Sequence, residues 1–185
     1  MFENLLKTLE SQGRFHIIKD RDNQTEYLRR WYVGFPDSIH REREDIPFNT
    51  FIHQFMRSDD DVYHTHPWLW FHSTILEGGY WEHTPWGTKW YSAGDQRYVD
   101  CMTMRDLDGV LLPANLHWVE VPEPGKTWTL FTRGPSKPVD ALGRKFWGFC
   151  PDLKTGEVIY HVDYLTAHSK DYYKKNNDEN SSNLG

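Results

Sequence analysis

Hydrophobic and polar positions alternate in short runs along most of this chain, and only its beginning departs from that pattern. Phe2, Leu5, Leu6 and Leu9 recur at helical spacing and Gly13 follows them, which predicts a short amphipathic helix over residues 2–12. From Arg14 onward the apolar residues fall at period two between turn residues, the pattern of half-buried strands. The predicted strands are Phe15–Lys19, Tyr27–Val33, Phe48–Arg57, Val62–His66, Trp70–Leu76, Tyr80–His83, Thr88–Tyr91, Arg97–Thr103, Gly109–Leu112, His117–Val121, Trp128–Thr132, Lys145–Phe149 and Val158–Tyr164. Asp20–Asn23 and Gly78-Gly79 read as turns, Phe35–Ile46 as a polar loop, and Pro67 as a break between two strands. So many short strands with no helix between them predict an all-β fold, an antiparallel closed or two-sheet barrel preceded by one helix. No repeat or linker divides the chain. The expected organisation is a helix over 1–13, a β-barrel domain over 14–169 and a loose polar tail over 170–185.

Length and composition narrow the partners. At 185 residues the chain is long enough for one domain with a real core. Its net charge of −6, with Lys and Arg scattered, argues against a nucleic-acid partner. No apolar run approaches the roughly 20 residues that span a bilayer, and the N-terminus lacks the basic and apolar regions of a signal peptide. Cys101 and Cys150 stand alone, without a disulfide framework or a thiolate zinc site, so a reducing cytoplasm is the expected compartment. Nine Trp, ten Tyr and ten Phe mostly build the core of a β-domain, and the few that flank His64 and His66 are candidates to line a cavity.

The chemistry is concentrated at His64-Thr65-His66. Side chains two apart in a strand share a face, so these imidazoles address one point. A histidine from a neighbouring strand would complete a facial set of three, suited to Fe, Zn, Mn or Ni. About fifty residues later comes Leu112-Pro-Ala-Asn-Leu-His117.

These phrases resemble the cupin superfamily, whose small jelly-roll barrel holds a metal inside its mouth. The family's first motif is a Gly, five residues, His-x-His, three or four residues, Glu, six residues and Gly. His64 and His66 match the pair, Gly78 matches the closing Gly, Ser58 replaces the opening Gly, and Phe71 stands at the Glu. The second motif, Pro-x-Gly-x-x-His-x-x-x-Asn, is met by His117, with Pro113 one place off and Ala114 and Val121 in place of Gly and Asn. The chain is more closely similar to a branch of single-domain bacterial and phage cupins, through His64-Thr-His-Pro-Trp68, Gly78-Gly-Tyr-Trp-Glu82, His117-Trp-Val-Glu120, Trp128-Thr-Leu-Phe-Thr132 with Gly134-Pro135, and Trp147-Gly-Phe149.

The resemblance implies a cupin-type jelly roll with one divalent ion on His64, His66 and His117. Phe71 cannot replace the usual Glu, so either three histidines hold the ion alone or another carboxylate joins them. Glu82 is the leading substitute, and the run Asp59-Asp60-Asp61 a weaker one that otherwise reads as a solvated loop. Trp68, Trp70 and Trp81 are the candidate substrate-binding rings, and Tyr80 the candidate proton donor. Arg57, Arg97 and Arg105 are available to pair with an anion. The expected function is a metal-dependent enzyme with dioxygenase-like or isomerase-like chemistry on a small polar molecule, with no membrane partner. The alternative is a non-catalytic jelly roll that binds a sugar or nucleotide fragment and keeps a structural or vestigial metal. Strands at 14–33 offer a sheet edge, so a homodimer is expected.

Overall fold

A computed structural model describes residues 2–20, 24–35, 47–138 and 147–168. In chain order its elements are α1 (Glu3–Ser11), β1 (Phe15–Lys19), β2 (Glu26–Tyr32), β3 (Asn49–Phe55), β4 (Tyr63–His64), β5 (Trp70–Glu77), β6 (Gly79–Thr84) and β7 (Gly87–Ser92). Then come β8 (Gln96–Asp100), β9 (Met104–Leu107), β10 (Val110–Pro113), β11 (Trp118–Glu120), β12 (Thr127–Arg133), β13 (Gly148–Cys150), β14 (Ile159–Tyr160) and α2 (His161–His168).

Apart from the separate β9–β10 hairpin, the strands form two antiparallel layers. The first is a six-stranded sheet in the order β1-β2-β3-β12-β5-β8. The second is assembled from two three-stranded pieces, β14-β13-β4 and β11-β6-β7. An antiparallel bridge between His64 and His117 joins them, setting β4 beside the start of β11, and the second layer also runs six strands wide. The molecule is an antiparallel jelly-roll barrel, as the period-two pattern predicts.

The rows of residues across the first sheet explain what faces the interior. One inward row is Leu28, Phe55 and Thr127; the next is Arg30, His53, Thr129 and Ile75. Beyond it lie Tyr32, Phe51, Phe131, Ser73 and Arg97, then Asn49, Arg133, Phe71 and Val99. The opposite face of the same sheet is also covered. Trp31, Ile52, Trp128 and Leu130 pack there under Leu6 and Leu9 of α1. The helix stops where predicted: Gly13 takes φ +68° and its N–H reaches Glu10 O at 2.9 Å.

Several elements differ from the sequence expectation. Val158–Tyr164 is not one strand. It divides into β14 and a second helix, because helical spacing lets His161 stack on Trp147 at 4.1 Å and Tyr164 on Phe149 at 4.5 Å. Arg97–Thr103 stops at Asp100, and the hairpin β9–β10 follows, turning at Asp108-Gly109 with both φ positive (50° and 87°). Its second strand matches the predicted Gly109–Leu112, while its first, β9, escaped the pattern because Met104, Arg105 and Asp106 are all exposed. Most of the Phe35–Ile46 loop, residues 145 and 146, and the 170–185 tail lie outside the described residues.

Gly148 ties β13 to β14 with no room to spare, since a Cβ there would sit 2.0 Å from Ile159 O. Gly148→Ala should therefore cost about 1–3 kcal/mol, the usual range for overpacking. Denaturant melts read this directly, and unchanged stability would show that β14 yields freely.

Candidate metal centre

The site starts from a backbone pair. His64 N–H donates to His117 O at 3.0 Å and His117 N–H returns to His64 O at 3.2 Å, the mutual exchange of a hydrogen-bonded antiparallel pair. Thr65 turns the other way and is locked there: its N–H donates to Gly148 O at 2.9 Å, and Gly148 N–H donates to the Thr65 hydroxyl at 3.0 Å. With Thr65 held behind, His64 and His66 face the interior together. Ring centroids are 5.3 Å apart for His64 and His66, 5.0 Å for His64 and His117, and 4.9 Å for His66 and His117. A nitrogen from each ring lies within 4.8 Å of the others, and His66 Nε2 is 2.7 Å from His117 Nε2. Nitrogen bonds of about 2.0–2.1 Å place cis donors on one ion roughly 3 Å apart, so the trio fits a single divalent ion after small ring movements.

The chemistry of the donors agrees with that geometry. Burial pushes the pKa of His66 well below the ordinary histidine range, helped by His117 and His64. His117 is pushed down in the same way, by burial first and then by Arg97. Both rings are neutral near pH 7, the state that ligates. On the far side of His117, Nδ1–H donates to Glu82, whose carboxylate also accepts from Arg97 Nη2 at 2.5 Å. That contact fixes the tautomer that leaves Nε2 open, so Glu82 orients the His117 ring from behind. Glu82 itself is pulled two ways: burial raises its pKa and Arg97 opposes the rise.

The histidines open onto a cavity of about 460 Å³ between the layers. Trp68, Phe71, Phe131 and Phe55 give it aromatic walls, and Arg30, Ser73, Tyr80, Arg97 and Thr129 give it polar points. Trp68 lies nearly parallel to His66, 12° between planes and 5.3 Å between centroids, while Phe71 meets His66 edge-on at 4.9 Å. Phe71 thus presents a ring to His66, and Arg97 sits 5.0 Å above that ring. Tyr80 is buried in the wall with its hydroxyl bonded to Ser73; burial, then the nearby Glu82 charge, raises its pKa, so it keeps its proton. A three-histidine face looks into a jelly roll, two of the rings from one strand region and the third from the strand beside it.

The fold is an antiparallel jelly-roll barrel with three histidines facing its interior.

No protein-family model matches the sequence, and no curated protein matches it. Solved structures do align with it. Ectoine synthase from P. lautus is 11% identical over 70% of this chain and 75% of its own, with a TM-score of 0.42. A cupin-superfamily sugar phosphate isomerase from Silicibacter pomeroyi is 14% identical over 71% and 80%, also at 0.42. An uncharacterised double-stranded β-helix protein from Klebsiella pneumoniae is 15% identical over 73% and 97%, at 0.41.

Not every predicted site residue reaches the cavity. Tyr80 and Glu82 share one face of β6, so Trp81 between them must point outward, where it is 40% exposed and packs on Trp90 at 5.3 Å. Trp70 also lies outside. The chain crosses between layers after Trp68, the parity resets so that Phe71 faces inward, and Trp70 stacks on exposed Tyr98 at 6.1 Å. Asp59 lines the cavity rim but is engaged there, accepting from Tyr27 OH and from Val119 N–H at 2.7 Å. Arg57 pairs with Asp20 and Asp60, and Arg105 lies 4.8 Å above Trp86; only Arg97 of the three named arginines lines the cavity. Glu120 faces away and pairs with His83. The sequence did not single out Arg30, Thr129 or Phe131. For Arg30 the available signal was its two-residue spacing from Leu28 and Tyr32, masked by Trp31, which is buried on the opposite face.

Two outcomes are expected. Glu82→Gln should weaken metal binding by about 10–100-fold, because it loses the carboxylate that orients His117; competition with a chelator measures it. For the metal-free protein, His53, His66 and His117 all have lowered pKa values through burial. The unfolded chain therefore binds protons that the folded chain refuses, and stability falls as pH drops below about 6.5. Urea midpoints should decline from pH 7.5 to pH 5.5, and His53→Gln should reduce that decline.

Proposed function

We propose that this chain is a mononuclear metal-binding cupin enzyme acting on a small polar molecule held between its two sheets. The observation that carries this reading is the set of converging imidazoles, His64, His66 and His117, facing a cavity with aromatic walls and a protonated phenol. A bound divalent transition ion (Fe, Zn, Mn or Ni) supplies Lewis acidity suited to isomerase-like chemistry or, as iron, the redox chemistry of a dioxygenase. The remaining work falls to the chain's own residues. Trp68, Phe71 and Phe131 exclude water and offer a flat surface to the substrate. Tyr80, oriented by Ser73, gives a hydrogen bond or a proton to a substrate oxygen. Glu82 and Arg97 keep the His117 ring from turning.

Phe71 at the usual anionic ligand position favours a second reading, a ligand-binding jelly roll with a structural ion. Association of two copies at the open edge of β1 belongs to the same proposal, and sedimentation velocity reads it. Among the described residues no helix is long and apolar enough to cross a membrane.

Elemental analysis of protein made with iron, zinc and manganese supplied is the deciding measurement. One ion per chain is expected. The double variant His64→Ala with His66→Ala should carry none while keeping the circular dichroism of a β-barrel. Wild-type protein that stays metal-free under those conditions would end this reading. Metal with ligand binding but no turnover would select the second one.

A further inference from the structure

The polar points of the cavity are not scattered. Arg30, His53 and Thr129 are direct cross-strand partners on β2, β3 and β12, one row of the first sheet facing inward. Arg30 Nε–H donates to His53 Nε2 at 3.0 Å, which fixes the plane of the guanidinium and puts the histidine's own proton on Nδ1. Next in the row, the Thr129 side chain is 1% exposed, and its hydroxyl has no hydrogen-bond partner. A buried hydroxyl without a partner costs about 1–3 kcal/mol, and here it borders a cavity able to hold the missing partner.

This row lies across an aromatic floor from the histidine trio. His53 stacks on Phe131 at 5.2 Å, Phe131 on Phe71 at 5.3 Å, and Phe71 meets His66 at 4.9 Å. The cavity therefore has two polar ends with flat rings between them. The cavity's other charged groups are engaged: Arg97 pairs with Glu82, and Asp59 accepts from Tyr27 OH and from Val119 N–H.

We propose that the cavity takes a small planar carboxylate. Its carboxylate lies against Arg30 and the Thr129 hydroxyl, its plane rests on Phe131 and Phe71, and an oxygen at its opposite end faces the histidines. The Arg30 end is independent of the metal; the opposite end rests on the metal-centre reading above. Guanidinium recognition of a carboxylate is charge-assisted and planar, which a neutral amide of the same shape does not reproduce.

Calorimetry with 4-hydroxybenzoate and 4-hydroxybenzamide, on metal-loaded and chelator-treated protein, tests the assignment. The acid should bind roughly tenfold tighter than the amide in both preparations. Arg30→Gln should bring the two ligands within about twofold of each other, Arg30→Lys should restore part of the preference, and Thr129→Val should weaken the acid by roughly three- to tenfold. Thermal melts confirm that each variant is folded, and Thr129→Val stands as the test if Arg30→Gln is not. Equal binding of acid and amide to the wild type, no binding of either, or an undiminished preference in folded Arg30→Gln would overturn the proposal. A preference that persists in protein unable to hold metal would support this subsite while ending the metal reading. Metal binding without the preference would do the reverse.

Discussion

The site depends on one pair of backbone hydrogen bonds, those between His64 and His117. They are where two short sheet pieces become one layer, so the same contact closes the barrel and sets two imidazoles side by side. In an antiparallel pair the side chains of directly opposed residues leave the sheet on the same face. The register that joins the layer is therefore the register that brings His64 and His117 together. Moving either strand by one residue would reverse its side chains and end both functions at once. His66 joins them because Thr65 is held from behind by Gly148.

Around that seam the protein resolves an electrostatic conflict. Burial lowers the pKa of His66 and of His117, and a neutral ring is a poor anchor unless something orients it. Glu82 performs that task for His117, and the carboxylate's own burial is offset by Arg97. Arg97 in turn rests on Phe71. The carboxylate thus lies behind the His117 ring, and what meets His66 on the cavity side is the Phe71 ring.

How much of this was legible in the sequence follows from which faces are buried. His64, His66 and His117 could be read because the spacing of the pair and the surrounding phrases are both specific. Tyr80 and Glu82 were legible as a pair, and the same alternation should have removed Trp81 from their company. Trp70 was lost to the layer crossing after Pro67, where period two does not carry through. Arg30, His53 and Thr129 stayed hidden for a different reason. The sheet that carries them is covered on its outer face by α1, so both parities of β2, β3 and β12 look like core. Alternation identifies an inward face only when the other face is wet. The second helix was misread because Ile159 and Tyr160 open it as a strand and its apolar residues are few.

The lock between Thr65 and Gly148 has a consequence for how the protein is made. All three histidines have been synthesised once residue 117 is joined, yet the strand that holds their motif in place comes near the end of the described chain. β4 has Gly148–Cys150 on one side and His117 on the other, and β13 is itself paired to Ile159–Tyr160. A chain emerging from the ribosome exposes its first sheet's strands β1, β2, β3 and β5 long before β13 is available. Until then His64 and His66 lie on a segment with an incomplete set of strand partners. The three-histidine cluster is thus a late product of translation, completed by the last of the described strands to arrive, and a nascent chain released before β13 would contain all three histidines without the scaffold that positions them.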